Sequence, residues 1–469
     1  IDRLQAAQLL CEEKVVINIH HLLPLLLQDD DLEVRRCALA AVGRTDSPEL
    51  WQVAMEHLSM PPFCNAAVAA LAAVGEDVLP ALDTFFARPS QTPATLKRIV
   101  RIYGLIGGDQ ALKLLIEKMN FPEKRVREQV IISLQFCSYQ AKGKEFIAIK
   151  HRIEESVSNA AWSMATLIDI KDDENVTLLK SAVASEIDGY RKQGFILLSL
   201  IYEPQSIQLV QETFTSGSGG SKVYALELLD VFMDEDLKNI LFPMFEDMSL
   251  AERLQLLEVE FPQQDLETVE RLQSAINGEY TKVDRWTKAC ALYLLSEVAG
   301  KRILDEIIAA LFHPDHMLRE TAAWCLHRLD PAAYAAHLVR LPDKIQRELD
   351  ALIRPVVVGQ QNGSRTRITI ENVLFLKEIG ILSGVPERIL AELVDLLDEV
   401  EVQPEETLIT SEDIQDKLYI LIEGQLRCTD NEGSVVHIDV GEIIGGLVVT
   451  KIEARTGAII ATKYSRLFY

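Results

Sequence analysis

The hexapeptide ALAAVG occurs twice in this chain, from Ala38 to Gly43 and again from Ala70 to Gly75, a displacement of 32 residues. Another 32 residues on, Gly107 closes the related string IYGLIG. A six-residue identity at a spacing that then recurs marks an internal repeat. A repeat constrains the fold more than any local motif does, because each unit must bury its apolar face against the next copy instead of in a closed core of its own.

Every unit carries a helix of one character. In EVRRCALAAVG the apolar positions Val34, Ala38, Ala41 and Val42 fall at i, i+4, i+7 and i+8, which is one face of an α-helix. VREQVIISL places Val126, Val130 and Leu134 the same way, and LRETAAWCLHRL does so with Leu318, Ala322, Leu326 and Leu329. Second helices are expected between these, as at Gly108 to Met119 and Arg302 to Phe312, with joins marked by Pro61-Pro62, Pro122, Pro204 and Pro314. From about 140 to 285 the repeat is poorly matched and helix pairs rest on periodicity alone. Strand alternation is nearly absent before residue 365. The pattern predicts a mostly α chain whose residues 1–353 form an α-solenoid of nine or ten helix pairs.

The stretches LLQDDDLEVRRCALAAVG (Leu26 to Gly43) and LFHPDHMLRETAAWCLHRL (Leu311 to Leu329) each read as a helix end, an acidic turn and a Val-Arg or Leu-Arg start to the next helix. In this the chain resembles the HEAT repeats, in their short bacterial form. The turn Asp is expected to cap the following helix, and Arg35, Arg127 and Arg319 to bond acidic groups or carbonyls of neighbouring units. The Gly-rich TSGSGGSK (Thr215 to Lys222) continues into Val223 where a triphosphate-binding loop needs Ser or Thr, so it reads as an inter-helix loop.

Charge narrows the partners. With 71 acidic against 47 basic residues and a net charge of −24, the chain lacks the Lys/Arg surplus that nucleic acid and anionic lipid require. No apolar run approaches the ~18 residues of a membrane span, and no secretion signal precedes the first repeat. Cys11, Cys37, Cys64, Cys137, Cys290, Cys325 and Cys428 are scattered without a CxxC pair, as expected of reduced thiols in a cytoplasmic protein. His313, His316 and His327 around HPDH, and Asp29 to Asp31, sit at repeat turns where capping explains them without a metal. No GxSxG or HExxH is present, and no enzyme is expected.

Character changes at 354–369, RPVVVGQQNGSRTRIT, which reads as a linker. Residues 370–469 then open with an apolar helix pair, Pro386 in the first turn of the second helix. Beyond Glu399 the period becomes that of strands: VEVQ, ETLIT, KLYILIEG, QLRCTD, SVVHIDVG and GAIIAT, separated by polar or Gly turns. A small α+β domain with an antiparallel β-roll is predicted.

Within it, LYILIEG (Leu418 to Gly424) and GEIIGGLVVTKIEARTGAII (Gly441 to Ile460) resemble the cyclic-nucleotide-binding domain. The resemblance implies that Gly445, Gly446, Leu447, Arg455 and Thr456 form a phosphate-binding cassette, in which backbone amides at a helix start and an Arg hold the cyclic phosphate. It also implies a Glu for the ribose hydroxyl, but Gly446 stands there. The missing charge-assisted bond is worth roughly 1.5–3 kcal/mol. Glu412, Gln415 and Ala458 replace further family residues, and Glu371 to Tyr469 holds 19 Asp/Glu against 8 Lys/Arg, an unfavourable field for an anion. The cassette therefore reads as vestigial, with no cofactor and at most weak or altered cyclic-nucleotide binding.

Three functions follow as expectations. The first is a non-catalytic scaffold that meets a protein partner on the solenoid surface. The second is a nucleotide-gated regulator. The third comes from the arrangement, which is similar to the cytoplasmic tail of bacterial nucleotide (ATP/ADP) translocase-like membrane proteins and implies a membrane domain before Ile1.

Overall fold

The computed structural model describes residues 22–89, 91–170, 176–216, 219–280, 282–298, 305–353, 367–410, 418–429, 435–445 and 458–469. They fall into two compact units, one of Ile1–Asp169, Glu186–Asp265 and Glu279–Lys282, the other of Ile170–Ser185, Leu266–Gly278 and Val283–Tyr469. The chain is mostly helical and ends in a small α+β domain. Among the described residues no single helix is long and apolar enough to cross a membrane.

The first half of the array runs α1 (Leu23–Leu26), α2 (Leu32–Val42), α3 (Pro48–Glu56), α4 (Cys64–Val74), α5 (Leu79–Phe86), α6 (Pro93–Ile106), α7 (Gly108–Glu117) and α8 (Lys124–Phe136). Alternate helices stack: α2 on α4, α4 on α6 and α6 on α8 in one layer, α3 on α5 and α5 on α7 in the other. The stripes read from the sequence are what this stacking buries. Val34, Ala38, Ala41 and Val42 are fully covered, as are Val126, Val130 and Leu134.

Each lead-in turn is fastened twice. Asp31 accepts from the backbone amides of Glu33 (2.9 Å) and Val34 (3.3 Å), and Asp315 does the same for Met317 (3.0 Å) and Leu318 (3.4 Å). The repeat Arg then reaches back over the same turn. Arg127 donates to the carbonyls of Phe121 (2.8 Å) and Pro122 (2.7 Å), Arg319 to those of His313 (2.9 Å) and Pro314 (3.2 Å), and Arg35 to that of Asp29. These Arg residues thus lock their own turn, where neighbouring units were the expected partners. The links between successive units come from other cations: Arg88 to Glu56 at 2.8 Å, Lys118 to Asp83 at 2.5 Å and Arg98 to the Leu58 carbonyl at 2.8 Å.

The irregular middle has a simple cause in helix length. α9 (Lys144–Asp169) and α10 (Thr177–Ser199) are 26 and 23 residues long, about twice the repeat helices. α11 (Pro204–Ser216), α12 (Gly219–Phe232), α13 (Glu235–Phe245) and α14 (Leu250–Leu257) follow. The predicted loop at Thr215 to Lys222 is corrected here: α11 runs to Ser216 and α12 starts at Gly219, with 217–218 outside the described residues. Gly weakens a helix by only about 1 kcal/mol, and buried Val210, Ala225 and Leu229 on the flanking turns supply the packing that outweighs it.

The second unit contains α15 (Thr268–Asn277), α16 (Arg285–Val298), α17 (Asp305–Leu311), α18 (His316–Leu329), α19 (Pro331–Leu338) and α20 (Asp343–Ile353). Here α16 stacks on α18 and α18 on α20, repeating the two-layer pattern. The expected linker is outside the described residues up to 366, and α21 (Thr369–Glu378) opens on its last residue, followed by α22 (Glu387–Val394) with Pro386 at its N-cap.

Among the described residues the domain continues with eight strands: β1 (Glu399–Val402), β2 (Thr407–Ile409), β3 (Leu418–Glu423), β4 (Leu426–Thr429), β5 (Val435–Ile438), β6 (Ile443–Gly445), β7 (Ile459–Ala461) and β8 (Ser465–Phe468). They form two antiparallel sheets in the orders β1-β8-β3-β6 and β2-β7-β4-β5, the predicted roll. Val402, Ile409, Leu421, Leu426, Ile438, Ile444, Ile459 and Leu467 make the core between them. β6 and β8 were not among the strands read from the sequence. β8 is buried along its whole length and so lacks the alternation by which a half-exposed strand is recognised.

Gly104 shows how tightly the layers approach. A Cβ built there lies 2.7 Å from the Ser133 Cβ. In an isolated helix Gly→Ala stabilises, whereas Gly104→Ala is expected to destabilise by about 1–3 kcal/mol through overpacking. Urea unfolding measures this, and Ser133→Gly in the same chain should return part of the loss.

Candidate functional site

Of the five cassette positions, only Gly445 is among the described residues. It ends β6, paired with Leu418 of β3, and Ile444 and Ile443 pair with Tyr419 and Ile420. The turn before it is well defined: Gly441 takes a left-handed φ of 91° and donates to the Leu421 carbonyl at 2.8 Å, while Leu421 donates to the Glu442 carbonyl at 3.1 Å. Gly446, Leu447, Arg455 and Thr456 lie outside the described residues, as do Glu412 and Gln415. The structure therefore positions β6, the strand before the residues expected to form the cassette.

The convergent polar cluster that the structure does assemble lies where the helices of the C-terminal domain meet the last helix pairs of the second unit. Asp395 caps the C-terminal end of α22. Its carboxylate pairs with the Arg285 guanidinium at the start of α16 and, at 3.0 Å, with Nε2 of His316 at the start of α18. Asp315 closes the cluster, capping α18 with one oxygen and facing Arg285 with the other at 3.5 Å. Beside it, Glu320 of α18 accepts from the Thr369 amide (3.2 Å) and hydroxyl (2.7 Å) at the first turn of α21. Ser181 donates to Glu387 of α22 at 3.2 Å, and Lys377 pairs with the same carboxylate at 3.4 Å.

Burial and pairing set the charges. His316 is held above its ordinary value, chiefly by the hydrogen bond to Asp395, against the opposing effect of burial. Burial alone would raise Asp395, but the His316 bond and the Arg285 charge outweigh it and hold the carboxyl below the usual range. His313 is lowered by burial and accepts from the Asp315 amide at 3.0 Å. HPDH was read only as capping residues. Asp315 does cap, but the second role of His316 has no local signal because Asp395 is 79 residues away.

Two further polar groups have structural explanations. Arg466, buried in β8, pairs with Glu399 at 2.6 Å and Glu423 at 3.6 Å. In the first unit a polar cavity of about 30 Å³ lies among Lys124, Arg127, Glu128, Arg152 and Tyr190, a size for one or two waters. Among the described residues no group of three or more His, Cys, Asp or Glu is gathered for a metal.

No family model and no curated protein sequence matches the chain. Among solved structures it is similar to the regulatory subunit of a cAMP-independent protein kinase A from Trypanosoma cruzi bound to guanosine, at 23% identity over 21% of this chain and 38% of that one, TM-score 0.19. The regulatory subunit of a cAMP-independent protein kinase A from Trypanosoma brucei matches at 24% identity over 21% of this chain and 40% of that one, TM-score 0.18. The chain thus spans less than half the length of either.

The Asp395 cluster makes a pH prediction. A His whose pKa is raised on folding contributes stability below its unfolded value, lost as pH climbs through the folded value; a depressed Asp contributes above its unfolded value, lost as pH falls. Hydrogen-exchange protection of α22 should therefore decline as pH rises above the ordinary His value of 6.5 and again as it falls through the carboxylate range near 3.8. His316→Gln should abolish the upper limb and weaken the lower one, which then rests on the Arg285 charge alone.

Proposed function

We propose that the chain is a non-catalytic cytoplasmic scaffold with a regulatory C-terminal module. Its HEAT-like helix pairs present an acidic surface to a protein partner, and its C-terminal domain is a degenerate relative of cyclic-nucleotide-binding domains. The observation that carries this reading is the fastening of that domain's helices to α16 and α18 through the carboxylates of Asp395 and Glu320. These polar bonds sit at helix ends beside an apolar contact that buries Ile370, Val373 and Leu390, and a change in their charge is the kind of local event that shifts larger elements.

The sequence supports the degenerate pocket. Gly446 stands where the ribose-binding Glu belongs, and the domain's 19 acidic against 8 basic residues oppose an anionic ligand. The array supports a partner surface: Ile132 and Phe136, neighbours on one face of α8, are 44% and 68% exposed, and apolar side chains exposed side by side are what marks a contact site.

Titration calorimetry of the whole chain with cAMP and with cGMP tests the reading. No saturable heat is expected in the micromolar range. Micromolar binding that disappears in Arg455→Ala would overturn it and make the chain a nucleotide-gated regulator.

A further inference from the structure

One surface of the first unit has the shape and chemistry of a peptide site. α8 and α11 flank an open groove of about 900 Å³, within the range of ~300–1,000 Å³ common for ligand clefts. α8 contributes Ile132, Gln135 and Phe136, at i, i+3 and i+4 on one helix face; α11 contributes Pro204, Gln205, Gln208 and Glu212. Ile132 and Phe136 are exposed, and α8 buries its opposite face, through Val126, Val130 and Leu134, in the core. The outward pair is thus additional to what the fold needs.

The groove chemistry selects among occupants. Its polar lining is dominated by side-chain amides, each with both a donor and an acceptor, the same complement that a peptide backbone presents. Glu212 is the charged side chain of the lining, bonded by the Gln208 amide at 2.9 Å, and no cation lines the groove among the described residues. In a chain of net charge −24 the field there favours a cation. The α11 wall, from Pro204 to Glu212, runs roughly two helical turns, about 12 Å, the span of about four residues of extended chain, and the α8 wall about half of that.

We propose that this groove binds a short extended segment of a partner protein. An apolar side chain of that segment packs over Ile132 and Phe136, its backbone is read by Gln135, Gln205 and Gln208, and a Lys or Arg pairs with Glu212. The proposal rests on the scaffold reading and supplies the chemistry of its partner.

The test is selection of short random peptides displayed on phage against the whole chain, followed by fluorescence anisotropy with the selected sequences. The expected peptides join an apolar residue to a nearby Lys or Arg. They should bind about tenfold or more weakly to Phe136→Ala and lose their basic preference with Glu212→Lys. Both side chains are exposed, and circular dichroism checks that the variants keep the fold. Peptides that bind wild type and both variants equally would overturn the groove while leaving the scaffold reading intact. Failure to select any peptide would also overturn it, as would peptides that become helical on binding. Dimerisation in sedimentation velocity that Phe136→Ala abolishes would overturn it in favour of a second copy of the chain. The nucleotide titration is independent of all these outcomes, so failure of the scaffold's degenerate-pocket reading and failure of the groove are distinguishable.

Discussion

A helix with one apolar stripe cannot stay folded alone in water, and a pair of them still leaves a face uncovered. Everything in the array depends on each pair burying that face against the next. The core of the first unit is accordingly continuous from Leu23 to Leu257. Close approach is what makes the burial effective: with no side chain at Gly104, α6 can come within reach of Ser133 on α8, whose hydroxyl donates to the Val100 carbonyl at 3.0 Å.

Stacking also needs each helix to start at a defined angle, and the lead-in turns supply it. Asp31 and Asp315 satisfy the first free amides of their helices, and Arg35, Arg127 and Arg319 hold carbonyls of the same turns. Capping is worth about 1 kcal/mol per site. Its larger effect is on geometry, since a turn bonded on both its amide and carbonyl sides has little freedom to change direction. In the second unit the same device acquires a further use: the Asp315 cap brings Arg285 and His316 together, and these receive Asp395 from α22.

The candidate site was legible in parts. Six of the strands appear where the alternation over VEVQ, ETLIT, KLYILIEG, QLRCTD, SVVHIDVG and GAIIAT puts them, and Gly441 sits at a turn, because Gly turns and alternating side chains are local signals. β8 escaped notice because Ser465 and Arg466 are buried polar residues in a strand covered on both faces. The composition of the Gly-rich Thr215 to Lys222 signals a loop, yet helices enter it from both sides, to Ser216 and from Gly219. The turn that the sequence marks at HPDH accounts for His313 and only half of His316.

The sequence by itself determined the repeat, the buried stripes, the capped turns and the change from helical to strand period at residue 399. These are relations between residues a few positions apart, fixed by 3.6 residues per helical turn and two per strand repeat. Only the tertiary structure decided that Asp395 meets Arg285 and His316, that Gly104 faces Ser133, and that Phe136 borders a groove with Gln208. Those pairings depend on helix lengths and on the rotation from one pair to the next, which accumulate along the stack and leave no periodic trace in the chain.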